Sequence, residues 1–113
     1  MWAVDRVDMT KRSSLGNVIF TWRHYVQFCA SSTTVTAWQV RSDYLVAAQS
    51  GVYMRSEGSS NWQSGIGTSN ATSFRQQHLE YCVVKFGCYH NVYPWSRINI
   101  FGNGNFIYST GGL

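Results

Sequence analysis

The chain has 113 residues and a formal net charge of +4, with 12% charged and 16% aromatic residues. Little charge beside so many rings excludes a disordered chain, and at this length one domain, 1–113, is the default. The basic residues Arg6, Lys11, Arg12, Arg23, Arg41, Arg55, Arg75, Lys85 and Arg97 are scattered rather than gathered on one face, so nucleic acid is not an expected partner.

In chain order, Trp2–Met9 reads as a first strand, followed by a polar connection, Thr10–Asn17. Asn17–Cys29 has the clearest periodicity. Val18, Phe20, Trp22, His24, Val26 and Phe28 alternate with Thr21, Arg23, Tyr25 and Gln27, the period of a strand with one packed face. Ser31–Thr34 reads as a turn, Thr34–Arg41 as the next strand, and Ser42-Asp43 as another turn. Two apolar runs, Tyr44–Ala48 and Gly51–Met54, flank Ser50-Gly51 and predict a hairpin. Ser56–Asn61 reads as a polar loop and Gln63–Ser73 as an exposed tip. Phe74–Lys85 is mixed, with room for a helical turn over Arg75–Glu80 before a strand at Tyr81–Val84. Phe86-Gly87 turns the chain, Cys88–Tyr93 returns, and Pro94, the only proline, marks an edge or a break. Arg97–Phe101 and Asn105–Ser109 flank Gly102-Asn103-Gly104 and predict a last hairpin. The expected class is all-β: an antiparallel sandwich, barrel or blade-like sheets, with about seven to nine short strands.

Gly51-Val52-Tyr53-Met54-Arg55-Ser56-Glu57-Gly58-Ser59-Ser60-Asn61-Trp62 resembles the Asp-box hairpin of sialidase-type propeller blades. Glu57 stands at the acidic position, Gly58 follows it, Asn61 replaces the family's Thr, and Trp62 closes the motif. Gly104–Gly112 gives a cut-off echo. The likeness covers about a fifth of the chain. It implies a folding device on a blade rim rather than a catalytic site. A propeller needs several blades of roughly 40 residues, so several chains would have to complete one.

Catalytic residues are not expected. The acids are Asp5, Asp8, Asp43, Glu57 and Glu80, and nothing in their spacing specifies a hydrolytic carboxylate pair. No phosphate-binding glycine loop, nucleophile elbow or His-Glu-x-x-His occurs. His24, on the apolar face of its strand, reads as a satisfied core histidine. Cys82 and Cys88 face each other across a short turn, flanked by His78 and His90, all at one parity. Three readings are open for them, in this order: small buried hydrophobes, a cross-strand disulfide, and a zinc set. The expectation is no metal and no cofactor.

The aromatics carry more information. Trp22 and Trp38, inside strands, are the core candidates, and Trp62 and Trp95, beside turns, the exposed ones. Candidate ligand-binding residues are Trp62, Trp95, Tyr53, Arg55 and Glu57.

The first expectation is a non-enzymatic structural or assembly protein. It would be a repeated, homo-oligomeric component of a virus or phage particle, in a tail, fibre or capsid decoration. The alternative is a carbohydrate-binding lectin whose chains assemble a propeller. An immunoglobulin-like binding domain, suggested by Cys29, Trp38 and Cys82 in order, ranks third. Expected partners are copies of the chain or neighbouring structural proteins, with glycans for the alternative. The opening Met1–Arg6 carries acids and no apolar leader core, and no run nears about 18 apolar residues. Secretion by an ordinary signal is therefore not expected, a virion or extracellular surface is the location that the assembly reading implies, and a membrane is not an expected partner.

Overall fold

A computed structural model describes residues 2–83 and 87–113. Among them are eight strands and no helix: β1 (Trp2–Arg12), β2 (Val18–Ser31), β3 (Thr34–Ala48), β4 (Val52–Ser64), β5 (Asn70–Val83), β6 (Gly87–Val92), β7 (Trp95–Phe101) and β8 (Phe106–Gly111). They form two antiparallel sheets. One is the meander β1-β2-β3; the other runs β4-β5-β7-β8, with β6 also on β5. Neither sheet closes on itself, so the barrel is set aside and the two-sheet arrangement stands. The expected turn at Phe86-Gly87 lies partly outside the described residues.

β6 and β7 lie along the same side of β5, one after the other. β6 faces Leu79–Val83, and β7 faces Asn70–Gln76. Pro94 sits in the break between them, where it has no N–H to give to a ladder. Its carbonyl still accepts the Gln77 N–H at 3.0 Å, which holds the broken strand against β5.

Several local expectations are corrected. Ser42-Asp43 is not a turn: both residues lie inside β3, paired with β2. Tyr44–Met54 is not a hairpin, because β3 and β4 belong to different sheets and residues 49–51 carry the chain between them. The polar run Ser56–Asn61 is no loop between strands. It is a bulge within β4, where Arg55 pairs with His78 but Ser60 already pairs with Gln76. Arg75–Glu80 is extended, with no helical turn. The strands are also longer than expected, β3 reaching 15 residues. The β7–β8 hairpin over Gly102-Asn103-Gly104 forms as expected, as does the turn after Ser31, where Ser32 takes φ 58°.

The inner faces meet in one core. Its largest fully buried members are Trp22 and Phe28 from β2, Leu79 from β5, and Ile98 and Ile100 from β7. Each such side chain contributes roughly 1.5–3 kcal/mol on burial. The period-2 pattern of β2 is realised without exception, every even residue from Phe20 to Ala30 being buried.

A polar seam crosses this core. The indole N–H of Trp22 donates to Asp43 Oδ2 at 3.0 Å, and Arg75 Nε donates to Asp43 Oδ1 at 2.6 Å. The Asp43 side chain is 2% exposed and the Arg75 side chain 18%, so the pair joins β3 to β5 largely out of water. Arg41, also on β3, donates to Ser73 Oγ at 2.9 Å, to Asn61 Oδ1 at 2.7 Å and to the Trp62 carbonyl at 2.7 Å. A charged group held this way fixes the register of one sheet over the other, since a slip would leave it buried and unpaired.

Candidate functional site

The outer face of the five-stranded sheet follows from its registers. Residues directly opposed in an antiparallel pair share a face. Trp62 on β4 opposes Phe74 on β5, Phe74 opposes Arg97 on β7, and Arg97 opposes Ser109 on β8. One step along, Ser60, Gln76, Trp95 and Gly111 make the next row. The alternate residues of β5, Ala71, Ser73 and Leu79, are buried between the layers, so these two rows face outward.

The rings on this face are nearly parallel. Trp62 and Phe74 have centroids 5.3 Å apart at 12°, and Phe74 and Trp95 are 6.0 Å apart at 25°. Trp95 lies over Gly111, where a Cβ would come within 2.6 Å of its Nε1, so the ring uses the space a side chain would fill. The Arg97 guanidinium sits 5.8 Å from the Trp62 ring centroid. With Gln76 and Ser109, these residues line an open groove of about 260 Å³.

The β4 bulge bounds the groove. Gly58 has φ +82°, and a Cβ there would come within 2.7 Å of the Tyr93 ring. Only glycine meets both conditions. The Gly58 carbonyl accepts the Gln76 amide at 2.9 Å, and Tyr93 stacks on His78 at 4.7 Å. Beyond the bulge lies a second cluster. Arg55 sits 4.9 Å from the Tyr53 ring centroid and 3.6 Å from Glu80.

The structure therefore places the five candidates as follows. Trp62 and Trp95 share the groove through Phe74. Tyr53 and Arg55 form the second cluster on the same face. Glu57 lies in the exposed bulge and joins neither. Trp62, expected beside a turn, is within β4 and 43% exposed. Trp22 is fully buried and Trp38 packs on the core, as their strand positions implied. Sequence reading missed Phe74, Gln76, Arg97 and Ser109. For Phe74 and Gln76 the available signal was strand parity, hidden by the mixed reading of Phe74–Lys85; Arg97 and Ser109 join the row only through the pairing of β7 with β5 and β8.

The His-Cys constellation resolves differently from its leading reading. Cys82 and Cys88 form a disulfide across β5 and β6. A register shift between Tyr81 and Cys82 breaks the shared parity. His78 then lies on the outer face, its Nε2–H donating to Asn91 Oδ1 at 2.7 Å. His90 opposes Tyr81 and lines an inner crevice with Leu79 and Val92. The four donors do not converge. Glu80 lies near the two sulfurs, but the sulfurs are bonded to each other rather than available as thiolates. The same bond removes the Cys29–Cys82 bridge on which the immunoglobulin likeness leaned.

His24 and Ser73 are 2.8 Å apart, a spacing seen between catalytic bases and nucleophiles. Both are fully buried between the sheets, where no substrate reaches, and Arg41 also donates to the same Ser73 oxygen. Burial, reinforced by the neighbouring Arg75, pushes the His24 pKa down to about 4. The pair is structural.

No helix among the described residues is long and apolar enough to cross a membrane. No family model, curated protein or solved structure matches this chain.

Proposed function

We propose that this chain is a non-enzymatic structural or assembly protein, a repeated β-rich component of a larger body such as a virus or phage particle. The observation that carries the reading is the free edge at β8. This strand ends its sheet, and its Phe106, Ile107 and Tyr108 are 38%, 59% and 60% exposed. An apolar edge with unpaired backbone groups is a template for another strand, and monomeric proteins blunt such edges with charge, proline or bulges. β8 has none of the three. The shape agrees. The molecule measures 56 × 27 × 19 Å with a radius of gyration of 16.0 Å, against about 13 Å for a compact domain of this length. Long plates expose much edge for their volume and suit lateral assembly.

Hydrogen exchange tests the reading. In concentrated protein, the β8 amides that β7 leaves unpaired exchange slowly, and they speed up on dilution. Exchange at free-peptide rates at every concentration removes the proposal.

A second reading, carbohydrate binding, is favoured by the groove over Trp62, Phe74 and Trp95. Aromatic side chains beside a few polar groups at an open groove suit the C–H surface of a sugar and its hydroxyls. A glycan array in which no structure binds removes this reading without touching the first.

A further inference from the structure

We propose that β8 pairs with β8 of a second copy of this chain, antiparallel and across a two-fold axis, joining the two larger sheets into one and closing the assembly at a dimer. The inference rests on the assembly reading and adds the partner strand and the symmetry.

Every other described edge is interrupted. The smaller sheet ends at β1 and β3, and the larger at β4, β8 and the open side of β6. β1 carries Asp5, Arg6, Asp8, Lys11 and Arg12. β3 is broken by register shifts against β2 near both of its ends and in its middle. β4 is broken by the bulge between Arg55 and Ser60, and β6 by the shift between Cys88 and His90. Charges and bulges are the devices that keep an edge from pairing. β8 has neither, and its ladder with β7 runs from Phe106 to Gly111 without a shift. A head-to-tail array would lay β8 on one of the interrupted edges. Among the described strands, only β8 on β8 leaves both sides regular.

This edge complements itself. The Phe101 N–H donates to the Asn105 carbonyl at 2.8 Å, and bonded pairs alternate along an antiparallel ladder. Ile107, Ser109 and Gly111 therefore give their backbone groups to β7, while those of Phe106, Tyr108 and Thr110 point to the open side. An axis through Tyr108 sets it against the partner's Tyr108, and sets Phe106 against the partner's Thr110. Each outward N–H of these three residues then meets a carbonyl. β8 carries no charged side chain, so the apposition brings no like charges together. Two copies joined in this way present the same patch to each other and leave no β8 edge for a third.

The side chains at this edge are an unfinished part of the core. Phe106 and Tyr108 oppose Ile100 and Ile98, which are fully buried, so their rings point to the inner face of the sheet. They are exposed all the same, because β3 packs over β5 and β7 and β8 extends past it. The two rings lean together, with centroids 6.4 Å apart at 26°. A second copy brings the same pair of rings across the axis, so each strand covers apolar surface that the smaller sheet does not reach.

Light scattering and NMR on the whole protein test this. The wild type reaches twice 12.8 kDa and no more as its concentration rises. Tyr108→Lys and Tyr108→Glu each lose the dimer, because the axis sets like charges opposite one another, and an equimolar mixture of the two variants regains it. Tyr108 is 60% exposed, so both variants keep the wild-type melting temperature. In wild-type protein mixed from isotope-labelled and unlabelled chains, nuclear Overhauser contacts run from Phe106 of one copy to Thr110 of the other. A mass above two chains, a dimer lacking those contacts, a dimer that Tyr108→Lys leaves intact, or a Lys–Glu mixture that stays monomeric overturns the two-fold pairing and leaves the assembly reading standing. A wild-type monomer at every concentration overturns both.

Discussion

Urea unfolding followed from about pH 7.5 down to pH 4 reads the protonation of His24. The imidazole is fully buried, 2.8 Å from Ser73 Oγ. Burial is the main cause of its low pKa, about 4 against an ordinary 6.5; Arg75 and Arg41 add to it and Asp43 opposes it. As the pH falls through 6.5, His24 in the unfolded chain takes up a proton that the folded chain refuses until about pH 4. The unfolded state binds more protons across that window, so stability falls with pH there and levels off below it. At about 1.4 kcal/mol per pH unit, the gap between the two values amounts to about 3 kcal/mol. That is a large part of the ~5–15 kcal/mol a domain of this kind has. His24→Gln keeps a hydrogen-bonding partner for Ser73 and cannot titrate. The variant is less stable than wild type at pH 7, but it loses far less between pH 6.5 and pH 4. Two carboxyls bound the window from below. Asp8, held down first by its Arg23 hydrogen bond, loses its contribution only below the ordinary carboxylate range. Asp5, raised by burial, acts in the opposite sense, favouring the fold slightly as it protonates. Parallel loss of stability in wild type and His24→Gln across pH 6.5–4 would refute the reasoning.

Three further outcomes are expected. Asp43→Ala leaves Arg75 without its partner and the Trp22 N–H without an acceptor, and costs about 3–5 kcal/mol by denaturant unfolding. Gly58→Ala forces a side chain into left-handed backbone against the Tyr93 ring, costs about 1–3 kcal/mol in a thermal melt, and weakens any ligand of the groove. Reducing the Cys82–Cys88 bond, six residues apart in sequence, lowers unfolding free energy by about 2 kcal/mol, measured as paired melts with and without a phosphine reductant.

How much the sequence disclosed depended on which force set each element. β2 was legible because its alternation reflects one buried and one open face over 14 residues. The β7–β8 hairpin was legible because Gly102-Asn103-Gly104 is local turn chemistry. Ser42-Asp43 misled because polar residues usually mark turns, whereas Asp43 is polar in order to hold Trp22 and Arg75 inside. Those partners are 21 and 32 residues away, and no local pattern reports them. Ser56–Asn61 misled for the opposite reason. Its loop-like composition was real, but it serves a bulge, and the pairing on either side is set by β5. The site was half legible. Trp62, Trp95, Tyr53 and Arg55 were chosen for residue type, and the sheet does gather them on one face. That Phe74 completes the stack and Arg97 overhangs it depended on the strand order β4-β5-β7-β8, which tertiary pairing decides. The Cys82–Cys88 bond was one of the open readings. The bulge that separates His78 from His90 follows from pairing with β6 and has no local signature.

Assembly through the exposed edges is the central claim, and size-exclusion chromatography with light scattering tests it most directly. An assembling chain gives a mass at least twice the 12.8 kDa of the single chain, falling toward that value when Ile107 and Tyr108 on β8 are both changed to Lys. A wild-type protein that elutes as a 12.8 kDa monomer from micromolar to millimolar concentration contradicts it.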